Sequence, residues 1–452
     1  MIKMPPAPEA HPLSRILQEP PALAEQYLQF YVAVDDKGRY QPYDELRFRV
    51  PTALDPGLAW SLVKAARQLQ QAKVIELGTC SHPCTLVMTP AIHKAISQSD
   101  RHTTAGALEW MSNRIGEQRH VAYLLKDLIE DEAISSSQLE GAATTTKVAK
   151  DLLKRQRGPR TLDEKMIVGN FRMMQWAWTY RKKPLTVDVI TELHQIGVEG
   201  IDDNHYRPGN LRTTDDQIVV VDGDGNVVHT PPPALGLKSR LQRLVDWINS
   251  DDMDLQDSTY LHPLVKAIVL HFAIGYEHPF HDGNGRVARS LFYWYLFKTD
   301  FAAFRYIAIS TLLKTAATQY GKSYLHTEND QMDLTYFVDY QCRIISRAIA
   351  SFQDTYEKNL RDMTAFDGFL YESGLYRQLN DKQKTVLQVA KSGRVIEFTA
   401  SNVKDNLGCS YNTAAAVLNG LVEHQVFERR KEGREWVYFM VEKSRIIKDW
   451  IG

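Results

Sequence analysis

Apolar positions in this chain recur mostly at helical spacing. From Leu58 to Gln71 they return every three or four residues, the period of a helix with one buried face. Trp110–Ile134, Lys147–Lys154 and Glu164–Tyr180 continue the pattern. Thr186 is placed to cap a helix starting near Val187, with Val189 and Leu193 on its apolar side. Leu264–Ile274 (LVKAIVLHFAI) and Val287–Phe297 (VARSLFYWYLF) are apolar almost all round, which predicts two buried helices. Leu235–Ile248, Thr311–Leu325 and Asp333–Tyr356, running on toward Arg361, complete a helical body.

The pattern breaks between Gly209 and Pro233. Gln217-Ile-Val-Val-Val and Asn226-Val-Val-His-Thr are β-branched runs on either side of Asp222-Gly-Asp-Gly, a hairpin signature. Prolines 231–233 forbid further ladder pairing. Asp222, Asp224 and Asn226 superficially match a calcium loop, but Val227 and Pro233 stand where glycine and glutamate are required. Residues 1–25 are proline-rich and expected to wrap the surface. Tyr27–Val50 reads as short strands or irregular structure.

Beyond an expected join at Leu370–Arg377 the periods change again. Lys382–Ala390, Thr399–Leu407 (capped by Thr399 or Ser401) and Tyr411–His424 read as three helices, with a turn at Gly408-Cys-Ser. Val426–Arg430 and Glu435–Phe439 then form a strand pair around Lys431-Glu-Gly-Arg. Over residues 380–441 this order resembles a winged helix-turn-helix. The expected fold is mainly α, in three parts: an N-terminal extension over 1–110, a helical domain over 111–365 and a C-terminal unit over 370–452.

Composition changes this picture little. At 452 residues, 44% hydrophobic and 24% charged, the chain is an ordinary globular protein, and a formal charge of −1 argues against a globally basic nucleic-acid coat. No uncharged apolar run approaches the roughly 18 residues that span a bilayer, and the N-terminus lacks a signal-peptide core. Four cysteines in such a length make no disulfide framework. A cytoplasmic location is expected. Cys80, Cys84, His82 and His93 fit no common zinc spacing, and thiols in a loop are the better reading.

The chemistry concentrates in His278–Arg289, HPFHDGNGRVAR. A histidine, an acid, two glycines around an asparagine and two arginines sit in a short loop that opens a helix. There, unsatisfied N–H groups and the helix dipole favour an anion. The residues describe a nucleotide-phosphate site with a base attached.

This stretch matches the Fic-family signature HxFx[D/E]GNGRxxR at every fixed position. Tyr206-Arg-Pro-Gly, His229-Thr-Pro-Pro, His262-Pro-Leu-Val-Lys-Ala, Tyr320–Tyr324 and Asp333-Leu-Thr agree with segments around it, so the resemblance covers roughly residues 110–350. It implies a helical Fic fold with a hairpin flap and transfer of AMP from ATP to a Ser, Thr or Tyr hydroxyl of a protein target. His278 would be the general base and Asp282 the Mg²⁺ ligand. Gly283, Asn284, Gly285, Arg286 and Arg289 would bind the phosphates, with Phe280 pinning the loop. The flap, Ile218, Val219, Val220 and Val221, would hold the target by β-augmentation, and Tyr320 and Tyr324 would flank the adenine.

Upstream, ISSSQLEG (Ile134–Gly141) fits the family's inhibitory pattern [S/T]xxxE[G/N] with Ser136, Glu140 and Gly141, and resembles the subclass in which this helix precedes the Fic core. Glu140 would pair with Arg289 and compete with the terminal phosphate of ATP. It could also orient a water that removes AMP. A rival reading is a DNA-binding regulator whose Fic body senses nucleotide or is itself modified, reading DNA or contacting protein through Asn412, Thr413, Asn419, Arg429, Arg430, Lys431 and Arg434. A third keeps the enzyme and changes the group transferred; relatives that do so depart from the glycines or second arginine that this chain retains. Self-modification is expected, no membrane partner is, and the oligomeric state, a homodimer included, stays open.

Overall fold

The computed structural model describes residues 4–7, 9, 11–79, 83–115, 129–155, 158–203, 206–250, 260–391, 395, 397–433 and 435–450. It divides into two compact units, one of residues 1–107 with 128–350, the other of residues 108–127 with 351–452.

The first unit is organised by helices Pro263–Glu277 and Asn284–Lys298, which pack side by side. Every residue from Leu264 to Ile274 and from Arg286 to Phe297 is buried, at about 1.5–3 kcal/mol for each large apolar side chain removed from water. Pro263 opens the first helix, and His262 Nδ1 accepts from Leu264 N at 3.2 Å as its cap. Helix Leu162–Tyr180 crosses helix Val187–Val198 so closely that a Cβ on Gly169 would overlap the Gly197 carbonyl. Only glycine permits that approach, and it sets the Gly197 oxygen beside the central pair. Thr186 caps its helix as expected, accepting from Val189 N at 3.1 Å.

Helix Ile129–Leu139 lies between helices Leu162–Tyr180 and Ile309–Thr315. Asn170 Nδ2 donates to Ala133 O at 2.9 Å on one side. Glu132 Oε2 accepts from Ser310 N at 2.9 Å, and Ser135 meets Thr311 at 3.1 Å, on the other. The N-terminal residues pack on the same unit. Arg67 donates to Tyr336 Oη at 2.7 Å, and Lys64 pairs with Asp330 at 2.9 Å.

Several expected elements differ in detail. The hairpin ladder is shorter than its β-branched runs, Val220–Val221 against Val227–His229, leaving Ile218 and Val219 outside it. Asp222 Oδ1 accepts from both Asp224 N and Asn226 N at 3.0 Å, so its carboxylate closes the turn. Thr311–Leu325 is two helices, Ile309–Thr315 and Ala317–Asn329, broken at Ala316 by its non-helical backbone (φ −134°, ψ 39°). The proline-rich start holds a short 3₁₀ turn, Leu13–Gln18, and a helix, Pro21–Leu28. Within Tyr27–Val50 the regular element is one helical turn after the first helix ends, Tyr43–Leu46. Cys84 is no loop thiol: it is buried in strand Cys84–Leu86, paired with Ala72–Ile75. Cys80 and His82 lie outside the described residues, as does the middle of the helix expected over 110–134, of which Ala105–Ile115 and Ile129–Leu139 remain.

The second unit has its own core. Helices Asp381–Lys391, Ala400–Leu407 and Tyr411–Glu423 are followed by an antiparallel pair, Phe427–Glu432 with Glu435–Met440. Thr399, not Ser401, caps the middle helix, in a capping box with Asn402. The expected join at 370–377 is core, not linker. Helix Thr335–Glu372 is continuous through 350/351, where the units divide, and Leu370 and Leu375 are buried among the C-terminal apolar residues. No helix among the described residues is long and apolar enough to cross a membrane.

Candidate active site

Helix Pro263–Glu277 ends because His278 turns left-handed (φ +45°), and the next helix starts after Gly283 does the same (φ +81°). Between them Phe280 is fully buried and stacks on His194 at 3.8 Å. Asn284 Oδ1 accepts from Phe280 N, and its Nδ2 donates to Phe280 O, both at 2.9 Å. Buried, Asn284 staples the turn through these two bonds, and its second amide N–H is not accounted for by them.

Two residues that sequence reasoning passed over hold this loop. Arg212 Nε donates to His278 O at 2.9 Å, its Nη2 to Glu277 O at 3.1 Å and to Pro232 O, and its backbone N to Pro279 O at 2.9 Å. One guanidinium thus satisfies the carbonyls orphaned at the helix end and fixes the backbone on both sides of His278. Nothing in the polar run around Arg212 announced this. His194 Nδ1 accepts from Gly209 N at 3.1 Å, which leaves Nε2–H to donate to Asp282 O at 2.9 Å. Here a signal existed: His194 lies four residues after Ile190, on the apolar stripe that Thr186 phases.

The helix that opens at Asn284 makes its first internal bond from Val287 N to Gly283 O, so the N–H groups before it lack intrahelical acceptors. Two buried guanidinium groups flank that end. Arg286, 0% exposed, spends Nη1 on Gly197 O at 3.0 Å, while its Nε and Nη2 have no hydrogen-bond partner among the described residues. Arg289, 1% exposed, donates Nε to Ser136 Oγ at 2.7 Å and Nη2 to Ser136 O at 3.2 Å and Glu140 Oε1 at 2.7 Å, leaving Nη1 unpartnered. A buried, unpaired guanidinium N–H is costly, so the arrangement favours an anion that can accept from it.

A carboxylate already stands there. Glu140 follows helix Ile129–Leu139, and a Cβ built on Gly285 would collide with its Oε1 and stand 2.8 Å from its Cδ. Gly285 admits the carboxylate to the helix N-terminus. Burial pushes the Glu140 carboxyl up, but Arg289 opposes it and the net shift is down, so Glu140 is charged. Gly141 follows with φ +97°, a conformation few other residues adopt.

His278 is neutral. Burial holds it down to about 4, partly offset by its bond to Gly275 O, at 3.3 Å from Nδ1, and by the charge of Glu140. Asp282 accepts from Gly283 N and faces Arg286 electrostatically. No cluster of three metal-ligating side chains exists among the described residues. Tyr320 and Tyr324 are half-buried on helix Ala317–Asn329. Tyr320 Oη meets His271 Nε2 at 2.8 Å and lies against Arg289, and Tyr324 stacks on Phe272 at 5.0 Å. Val219 and Val221 of the hairpin are exposed.

Residues 184–296 match the model of the Fic/DOC family, so this part of the chain is a Fic domain. A protein adenylyltransferase Fic of Nematostella vectensis is 32% identical over 143 residues, 31% of this chain and 28% of that protein. Another, of Drosophila willistoni, is 34% identical over 111 residues, 25% and 19% of the two chains. The chain thus spans little more than a quarter of the first relative's length and less of the second's. A crystal structure of a Fic family protein from Desulfovibrio desulfuricans G20 shares the fold: TM-score 0.51 at 18% identity, over 78% of this chain and 96% of that one.

Proposed function

We propose that the chain is a protein adenylyltransferase that moves AMP from ATP to a protein hydroxyl, releases pyrophosphate, and is held off by its own Glu140. One observation carries the reading: a charged carboxylate sits against Gly285 and Arg289 while buried N–H groups of Arg286 and Arg289 beside it stay unpartnered. The seat is built for more negative charge than one carboxylate brings. Both curated relatives named above are protein adenylyltransferases.

In this reading neutral His278 takes the proton of the attacking hydroxyl, and Arg286 and Arg289 hold phosphate oxygens at the helix N-terminus. The hairpin holds the target backbone so that its hydroxyl meets the phosphorus in line. Asp282 is the one hard oxygen donor of the loop, which fits Mg²⁺ arriving with nucleotide better than a resident metal. Bound there, Mg²⁺ would neutralise phosphate charge. The inhibitory helix precedes the Fic core, the C-terminal unit is a winged helix, and with Glu140 in place a water could be oriented to remove AMP. Incubating Glu140→Gly with ATP, Mg²⁺ and cell lysate, then weighing modified peptides, tests the reading. The expected adduct is AMP on Ser, Thr or Tyr. A phosphate-only adduct, or none, refutes it.

A further inference from the structure

Glu140 follows the last residue of helix Ile129–Leu139, so where its carboxylate stands depends on how that helix is seated. Arg289 takes Ser136 and Glu140 at one end of the seat. Roughly two turns earlier the helix carries a second buried acid, Glu132, 2% exposed, which the reaction does not use. Its surroundings are set by Tyr293, one turn beyond Arg289 on helix Asn284–Lys298. Tyr293 Oη donates to Ile307 O at 2.8 Å and accepts from Ile309 N at 3.1 Å, which fixes the start of helix Ile309–Thr315. Ala308, just before that helix, has no side-chain acceptor for its first N–H groups. Glu132 supplies one from outside: Oε2 accepts from Ser310 N at 2.9 Å, and Oε1 from the Ser310 hydroxyl.

Two more contacts join the same pair of helices. Ser135 meets Thr311 at 3.1 Å, and Gln138 Oε1 accepts from Lys314 Nζ at 2.7 Å. Gln138 Nε2 donates to Thr144 O at 2.8 Å, closing the turn that carries Glu140. The three contacts are unequal. Thr311 and Lys314 are exposed, where water competes for each bond. Breaking the bonds of Glu132 would instead strand the Ser310 N–H in the interior, at the full cost of its desolvation. We propose that Glu132 is a positioning residue for inhibition: by fixing its helix to helix Ile309–Thr315 it holds Glu140 against Arg289, and loosening that tie activates the chain. The consequence for activity rests on the reading of Glu140 as the inhibitor. The mechanical part does not.

AMP transfer by the full chain is compared at saturating ATP with Glu140 present and with Glu140→Gly. With Glu140 present, Glu132→Leu should raise transfer by about fivefold, the factor that one net hydrogen bond supplies. In the Glu140→Gly chain it should change nothing, because no carboxylate is left to seat. Glu132→Gln can accept from Ser310 N and donate to its hydroxyl oxygen, so it should stay as inhibited as the wild type. A residue that only supports the fold would lower transfer in both chains, and that result overturns the proposal. Equal activation by Glu132→Leu and Glu132→Gln overturns it too, since the charge that Glu132 turns toward Arg289, not the tie, would then be at work. Ser310→Ala, which removes the hydroxyl alone, should also raise transfer, and by less when added to Glu132→Leu than by itself. No rise, or full additivity, counts against the tie. Lys314→Ala should change transfer by less than about twofold; a larger rise than that of Glu132→Leu would take the assignment from Glu132. Amide hydrogen exchange without nucleotide needs no transfer at all. Protection of helix Ile129–Leu139 should fall by about fivefold in Glu132→Leu and hold in Glu132→Gln. Unchanged protection in Glu132→Leu overturns the proposal whether or not the chain transfers AMP. A Glu140→Gly chain that transfers nothing would refute the adenylyltransferase reading, and exchange alone would then decide the tie.

Discussion

Two parts of this molecule offer arginines in a short basic cluster, and they use them differently. In the loop His278–Arg289, Arg286 and Arg289 are buried and hold back three N–H-bearing nitrogens, Arg286 Nε and Nη2 and Arg289 Nη1, from any partner among the described residues. At the tip of the C-terminal strand pair, Arg430 is half exposed and pairs with Glu397 at 2.6 Å and Glu432 at 2.7 Å. Arg429 donates to Asn419 at 2.7 Å and lies 4.7 Å over Trp436. Asn419 also accepts from Tyr438 at 2.9 Å, and Thr413 is engaged with Ser410 at 2.8 Å. Counting arginines made the two clusters look alike. What separates them is unspent donors in a place that water does not screen. Of the residues that would read DNA, Thr413, Arg429 and Arg430 are exposed although hydrogen-bonded within their own unit, Asn412 and Lys431 are exposed, Asn419 is half-buried, and Arg434 lies outside the described residues.

The largest effect expected is at the base. In a Glu140→Gly background, His278→Ala should lower AMP transfer by about 10²–10⁴-fold, the usual worth of a general base. Unchanged transfer would remove His278 from the reaction. Next is Gly285. A Cβ there occupies the space that Glu140 fills and phosphate would need. Gly285→Ala should therefore fail to activate the chain although it expels Glu140, and should lower transfer by about 100-fold in Glu140→Gly, comparable to losing one oxyanion donor. Activation by Gly285→Ala alone would show that the anion sits elsewhere.

The comparison also extends to acid stability. His194 and His278 are held down to about 4 by burial, and His271 is held further below the ordinary value of 6.5. The folded state refuses protons that the unfolded chain accepts. Stability is therefore complete above about pH 6.5 and lost as pH falls toward 4, by about 1.4 kcal/mol per pH unit for each such histidine. All three of these rings lie in the first unit, while the second, residues 108–127 with 351–452, contains two histidines, His120 and His424, so unfolding of the first unit should move to lower urea across this window further than that of the second. Equal movement of both would mean that these rings are not buried neutral. The smallest effect is at the C-terminal tip, where Arg430→Ala should change stability by no more than about 0.5 kcal/mol and leave nucleotide binding untouched.

Local periodicity carried most of the helices. The two apolar runs around the loop, the Thr186 cap and the hairpin turn all follow from side chains a few residues apart. That the loop's polar residues sit together was legible for the same reason, as was the contact of Glu140 with Arg289, where the family resemblance supplied a distance of 149 residues that no local pattern contains. What escaped was long-range. Arg212, in a polar run, reaches backbone carbonyls 65 and 66 residues away. The bonds of Asn284 to both backbone groups of Phe280 are likewise seen only in the fold. The break at Ala316 has neither glycine nor proline to mark it. The join expected at 370–377 failed because its apolar residues belong to a core whose other members come from far along the chain.

The account rests on Glu140 holding the place of a nucleotide phosphate. Its most direct test is incorporation of label from α-labelled ATP into protein by the wild type and by Glu140→Gly, side by side. The account predicts little label in the wild type and at least about tenfold more in Glu140→Gly, the factor that about 1.4 kcal/mol of competition supplies. Equal incorporation by the two would contradict it.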